Sequence, residues 1–74
     1  MSRVPTLRPR QVIAALKKAG FTEDAQTGSH LLLKHPQRKR RIPVPIHARD
    51  LKRPTVHAII KQAGLTVDKF ISLL

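Results

Sequence analysis

The apolar residues near the start of the chain recur at the spacing of an α-helix. In the segment RPRQVIAALKKAGF four of them lie at positions i, i+1, i+4 and i+7, namely Val12, Ile13, Leu16 and Ala19. Pro9 suits a first helical position, and Gly20 follows the last apolar residue, where a helix commonly ends. We therefore predict a first helix in this segment.

The pattern then changes to a period of two, which is typical of β-strands. The stretch SHLLLKH places Leu31 and Leu33 on one face and His30, Leu32 and Lys34 on the other. This stretch is predicted to be a strand. The preceding segment, FTEDAQ, is ambiguous and fits a short edge strand.

The stretch RIPVPIH alternates in the same way, with Ile42, Val44 and Ile46 on one face. Pro43 and Pro45 cannot donate hydrogen bonds to a neighbouring strand. This second strand should therefore lie at an edge of the sheet.

Helical spacing returns after the strands. The segment PTVHAIIKQAG carries four apolar residues on one helical face, namely Val56, Ile59, Ile60 and Ala63. The segment TVDKFISLL fits a short third helix with Thr66 as its N-cap. The order predicts an α+β fold in which helices cover one face of a sheet as a two-layer sandwich. We expect a single domain over residues 1–74, with residues 1–7 as a flexible arm.

The charge balance indicates the kind of partner. The chain has 15 Lys and Arg against 4 Asp and Glu, a formal net charge of +11. Repulsion among so many positive charges destabilises the folded state. Solubility does not require so large an excess, so the charge indicates an anionic partner such as nucleic acid. No apolar run is long enough to span a bilayer, and the first ten residues lack the apolar core of a secretory signal. We therefore expect a cytoplasmic protein with no membrane partner.

The histidines are the candidates for chemistry. An imidazole can take up or release a proton near neutral pH, so His30 could serve as a general acid or base, or it could simply pack at a strand start. A metal site is not expected. The chain has no cysteine, and His30, His35 and His47 have neither the spacing of a helical metal site nor carboxylates nearby in sequence. No cofactor is predicted.

Two basic clusters are predicted to contact the phosphates of a nucleic acid, although each could be only solvated charge. The first lies between the two predicted strands and contains Arg38, Lys39, Arg40 and Arg41. The second precedes the second long helix and contains Arg49, Lys52 and Arg53. Only two aromatic residues are present, which argues against recognition by base stacking.

Three stretches in this order resemble the HicA family of toxin endoribonucleases, also called YcfA-like proteins. They are VIAALKKAGF, GSHLLLKHP and IPVPIHARDLKRPTVHAIIKQAGLTVDKFISLL, and together they cover residues 8–74 almost completely. The Gly-Ser-His triplet, the apolar run and the His-Pro pair make the middle stretch the most specific. The chain differs from the family at Leu31 to Leu33, where members often carry a bulkier polar or aromatic residue.

The resemblance implies a fold similar to the double-stranded-RNA-binding domain, with the order α-β-β-β-α. It also implies cleavage of mRNA without a ribosome and neutralisation by a HicB-type antitoxin. The catalytic histidine of the family corresponds to His30. Lys34, four residues further along the same strand face, is then expected to help stabilise charge on the phosphoryl oxygens.

Several alternatives remain open at the level of sequence. Gly28 and Ser29 either approach a phosphate or simply form a turn, in which the glycine supplies a positive φ angle. His47, water or a lysine could supply the second acid or base. The chain could also be a non-catalytic RNA-binding module on the same fold, or a DNA-binding protein that uses PTVHAIIKQAG as a recognition helix.

Overall fold

The computed structural model describes residues 4–47 and 49–74. The elements in chain order are α1 (Pro9–Lys18), β1 (Thr22–Thr27), β2 (His30–Lys34), β3 (Ile42–Pro45), α2 (Arg53–Gln62) and α3 (Val67–Ser72). The three strands form one antiparallel sheet in the order β1-β2-β3. The predicted α+β fold, with the order α-β-β-β-α and a short additional helix, is confirmed.

Strand β2 lies at the centre of the sheet and shows the predicted alternation. Leu31 and Leu33 are buried, whereas His30 and Lys34 are exposed on the opposite face. The ambiguous segment before it forms the edge strand β1. Strand β3 is the other edge, as its prolines predict, because an edge strand needs ladder hydrogen bonds on one side only.

The buried face of the sheet and the three helices enclose one hydrophobic core. All three helices contribute the residues that their periodicity predicts, for example Leu16 from α1, Val56 from α2 and Phe70 from α3, none of which is exposed to solvent. Thr66 caps α3 as predicted, since its Oγ1 accepts a hydrogen bond of 3.1 Å from the backbone N–H of Lys69. No helix in the described ranges is both long enough and apolar enough to cross a membrane.

The N-terminal segment differs from the prediction. Val4 and Leu7 are buried in the core, and Leu7 forms an isolated antiparallel bridge with Leu51, whose N–H donates to the Leu7 carbonyl at 2.6 Å. Residues 4–7 therefore pack against the domain and do not form the predicted arm, because two apolar side chains in this segment find space in the core. Residues 1–3 of the predicted arm lie outside the described residues.

Candidate active site and nucleic-acid interface

His30 is placed by a tight hairpin turn between β1 and β2. Thr27 and His30 are paired, and only Gly28 and Ser29 connect them. Gly28 has a φ of 55°, whereas no non-glycine residue in the described ranges has a positive φ. A two-residue hairpin with positive φ at its first central position matches a type II′ turn, which requires glycine there. The sequence left open whether Gly28 approaches a phosphate or forms a turn. The positive φ of Gly28 directly accounts for the turn.

Replacing Gly28 with alanine is expected to lower the free energy of unfolding by about 1–2 kcal/mol, because an L side chain is disfavoured at positive φ. The effect should be conformational, since a Cβ at this position meets no atom within 4 Å. Gly28→Asn is the matched control and should cost less, because asparagine tolerates this conformation better. Denaturant unfolding of the three proteins measures the difference. Equal stability of all three would contradict the turn assignment.

The imidazole of His30 is exposed and touches its sequence neighbour. Ser29 Oγ lies 3.4 Å from His30 Nδ1, a long contact whose donor depends on the tautomer. When Nε2 is free to accept a proton, Nδ1 carries the hydrogen and donates it to Ser29 Oγ. Nε2 itself makes no hydrogen bond to any described residue. The arrangement leaves this nitrogen available to an incoming ligand.

Uncharged residues surround His30 on the outer face of the sheet. Its cross-strand neighbours are Thr27 and Pro45. Lys34 shares the face, as predicted, but four residues of strand at ~3.3 Å each separate it from His30 by about 13 Å. Lys34 and His30 therefore lie at opposite ends of the strand, and the expected role of Lys34 in stabilising the phosphoryl oxygens stays a prediction.

Asp24 engages two of the predicted RNA-binding cations. It lies at a β-bulge, where the register shifts between Glu23 and Ala25, and its side chain is largely buried. One carboxylate oxygen lies 3.5 Å from Lys34 Nζ and the other lies 2.5 Å from Arg41 Nε. The ion pairs of Asp24 were not predictable from the sequence, because a bulge depends on strand register and has no local signature here.

The side chain of Arg38 lies close to another part of the fold. Its guanidinium lies so close to Gly64 that a Cβ on this glycine would stand 1.7 Å from Arg38 Nη2. Gly64 directly follows Ala63, the C-cap residue of α2, where the last carbonyl groups of the helix favour a positive charge. The Arg38 guanidinium thus lies close to the end of α2, and its predicted contact with RNA stays a prediction. Arg40 and Arg41 line a neighbouring groove of about 380 Å³ with Pro43 and Gln62.

The second basic cluster lies at the His30 end of the sheet. Strand β3 runs from Ile42, opposite Leu33, to Pro45, opposite His30, so the chain that follows leaves the sheet at this end. That segment carries the exposed residues Arg49, Lys52 and Arg53. The structure thus separates the two basic clusters, and it places only the second at the same end of the sheet as His30.

The remaining histidines differ from His30 in their surroundings. The ring of His35 packs against Phe21 with centroids 4.9 Å apart, and its Nδ1 accepts a 3.1 Å hydrogen bond from the Gln37 backbone N–H. His57 is exposed on α2, and His47 lies two residues beyond Pro45. Within residues 4–47 and 49–74, no three His, Asp or Glu side chains are grouped so that they could hold a metal ion.

A family model for the HicA toxins of bacterial toxin–antitoxin systems matches residues 9–65. The chain belongs to the HicA toxin family. The resemblance noted in the sequence is thereby confirmed, and HicA toxins generally act as mRNA-cleaving ribonucleases alongside an antitoxin. The HicA match includes the hairpin of His30 and both long helices, whereas α3 lies beyond its last residue. A search of curated proteins found no match to the chain.

Proposed function

We propose that this HicA toxin is an endoribonuclease that cleaves mRNA without a metal ion and without the ribosome, with His30 as its general acid or base. The observation that carries the proposal is the placement of His30. Its imidazole is exposed at a tight turn, with Nδ1 beside Ser29 Oγ and with Nε2 unbonded among the described residues. This is the arrangement that a substrate-facing base requires.

The proposed reaction uses the 2′-hydroxyl of the RNA as its nucleophile. His30 Nε2 takes the hydroxyl proton, the oxygen attacks the adjacent phosphorus, and the bond from phosphorus to the 5′-oxygen breaks. The products are a 2′,3′-cyclic phosphate and a 5′-hydroxyl, whose proton comes from a second group. Ser29 is a positioning residue in this scheme, because by accepting from Nδ1–H it favours the neutral tautomer whose Nε2 is the acceptor.

One candidate for the acid that protonates the leaving 5′-oxygen follows the end of β3 that pairs with His30. His47 follows Pro45 by two residues, and Pro45 pairs with His30 across β2 and β3. Water or a lysine could take the same role. The absence of a metal requirement is supported by the positions of two carboxylates, since Glu23 and Asp24 are engaged by Lys17, Lys34 and Arg41 and do not adjoin His30.

The RNA strand is proposed to cross the sheet end and to contact both basic clusters at different phosphates. Arg49, Lys52 and Arg53 follow the end of β3 that pairs with His30, and they are proposed to act near the reacting phosphate. Lys34 and the first cluster would contact phosphates further along. The full set of proposed RNA contacts is Gly28, Ser29, Lys34, Arg38, Lys39, Arg40, Arg41, Arg49, Lys52 and Arg53.

A HicB-type antitoxin is the proposed inhibitor, and the outer face of the sheet is the surface that it would cover. Between His30 and Lys34 this face carries Ala25, Leu32 and Pro43, which are uncharged. Acidic residues on the antitoxin would complement the net charge of +11. Because mRNA is its substrate, we expect the toxin to act in the cytoplasm.

The proposal predicts that the purified protein cleaves a labelled single-stranded RNA in excess chelator and without ribosomes. The products should end in 2′,3′-cyclic phosphates, and the same RNA with 2′-O-methyl groups should remain intact, since it has no nucleophile. Gel electrophoresis with end-group analysis measures both. Complete loss of cleavage in chelator would show a metal requirement. Binding of RNA without cleavage would identify a non-catalytic RNA-binding module instead.

A further inference from the structure

Arg8 and Arg49 line the same surface groove, although they lie far apart in the sequence. The groove has a volume of about 540 Å³, and among the described residues Asp50 also lines it. Arg8 belongs to neither basic cluster recognised in the sequence. We call this feature the Arg8–Arg49 groove.

Packing of the N-terminal segment creates the groove. Leu7 and Leu51 are both buried, and the bridge between them ties the residue before Arg8 to the residue after Asp50. Both leucines lie two residues before the start of a long helix. Buried core residues therefore hold both walls of the groove in place.

The two arginines of the groove differ in their partners from the cations at the other end of the sheet. Lys34 and Arg41 form ion pairs with Asp24, and the guanidinium of Arg38 lies close to Gly64. By contrast, neither Arg8 nor Arg49 forms an ion pair within the described ranges.

The local charge of the groove is positive in spite of Asp50. Arg10 and Lys52, which are both exposed, lie two residues from Arg8 and Asp50 in the sequence. A guanidinium presents paired N–H donors that match the oxygens of a phosphate. Two arginines on one groove therefore provide two sets of such donors.

The groove lies at the catalytic end of the sheet. Strand β3 ends opposite His30, and Arg49 follows within the segment that leads from there to α2. A strand of RNA whose phosphate sits at His30 can continue along this segment towards the groove. The opposite direction leads over the uncharged outer face to Lys34, about 13 Å away.

We propose that the Arg8–Arg49 groove binds a backbone phosphate of the RNA strand that is attacked at His30, and that Arg8 is an RNA-binding residue of this toxin. The inference rests on the proposed function, because it assigns a phosphate subsite to the same substrate. The groove holds the strand, and it takes no part in proton transfer.

The test measures binding separately from cleavage. In a His30→Ala background, the affinity for a labelled single-stranded RNA is measured as a function of salt for Arg8→Gln, Arg49→Gln and the double variant. Each lost phosphate contact should reduce the salt slope by about 0.7 and the affinity at 0.1 M salt by about fivefold. The double variant should lose about 25-fold.

Lys18→Gln is the matched control, because it removes the same charge from an exposed residue at the other end of α1. Its affinity and salt slope should stay close to those of the parent. Thermal unfolding by circular dichroism checks that each variant is folded. Affinities of the arginine variants equal to the parent, or an equal loss in Lys18→Gln, would overturn the groove as a site.

The same data separate this inference from the proposed function. If the protein with His30 intact does not cleave RNA but the arginine variants bind more weakly, the groove is supported and cleavage is refuted. If the intact protein cleaves RNA and the arginine variants bind normally, cleavage is supported and the groove is refuted. If no variant binds RNA and the intact protein does not cleave it, both are refuted.

Discussion

His30→Ala is expected to lower the rate of RNA cleavage by about 10²–10⁴-fold, the range that a positioned acid or base contributes. The loss should appear in the rate of the chemical step. His30 forms no ion pair with a described residue, so its replacement should leave the surrounding surface unchanged. The unfolding free energy should change by no more than about 0.5 kcal/mol, as is usual for an exposed side chain. Single-turnover cleavage in chelator, together with denaturant unfolding, measures both quantities.

Two controls make the His30 result specific. His57→Ala removes an exposed histidine from α2, away from the sheet, and should cleave like the unaltered protein. His30→Gln retains an amide that can bond to Ser29 but cannot transfer a proton at neutral pH, so it should be as inactive as the alanine variant. Cleavage at the original rate by either His30 variant would remove His30 from the mechanism.

Phe70→Ala is expected to destabilise the domain by about 3–5 kcal/mol, the usual cost of removing a buried aromatic ring. Phe70 is fully buried and is the largest side chain with no exposure in the core. A domain of this size has a total stability of about 4–11 kcal/mol, at 0.05–0.15 kcal/mol per residue. The substitution should therefore unfold a substantial part of the population at moderate temperature.

The Phe70 result also tests whether α3 belongs to the folding unit, since this helix lies outside the residues matched by the HicA family model. Denaturant unfolding followed by circular dichroism provides the free energies. Leu74→Ala is the control, because Leu74 is 46% exposed and its truncation should cost little. An unchanged unfolding midpoint for Phe70→Ala would show that α3 does not contribute to the core.

Features that depend on neighbouring residues were predictable from the sequence. The periods of the apolar residues located α1, β2 and α2, because side-chain direction in a helix or strand repeats with a constant spacing. The prolines of β3 indicated an edge strand for a reason that is equally local. The alternation along β2 likewise predicted which face of the sheet carries His30.

Features that depend on contacts between distant segments were not predictable in this way. The ion pairs of Asp24 arise from a bulge whose position is set by the register of β1 against β2. The guanidinium of Arg38 lies close to Gly64 because the loop between β2 and β3 reaches the end of α2. The burial of Val4 and Leu7 replaced the expected arm, since composition alone does not show which short apolar segment finds space in a core.

The sequence by itself therefore determined the order of helices and strands, the sheet face that carries His30 and the anionic character of the expected partner. Each of these is encoded in local spacing or in net charge. Only the tertiary structure decided which cations are engaged within the fold, how far Lys34 lies from His30 and which arginines share a groove. These properties depend on strand register and helix packing, which join residues that no sequence pattern places side by side.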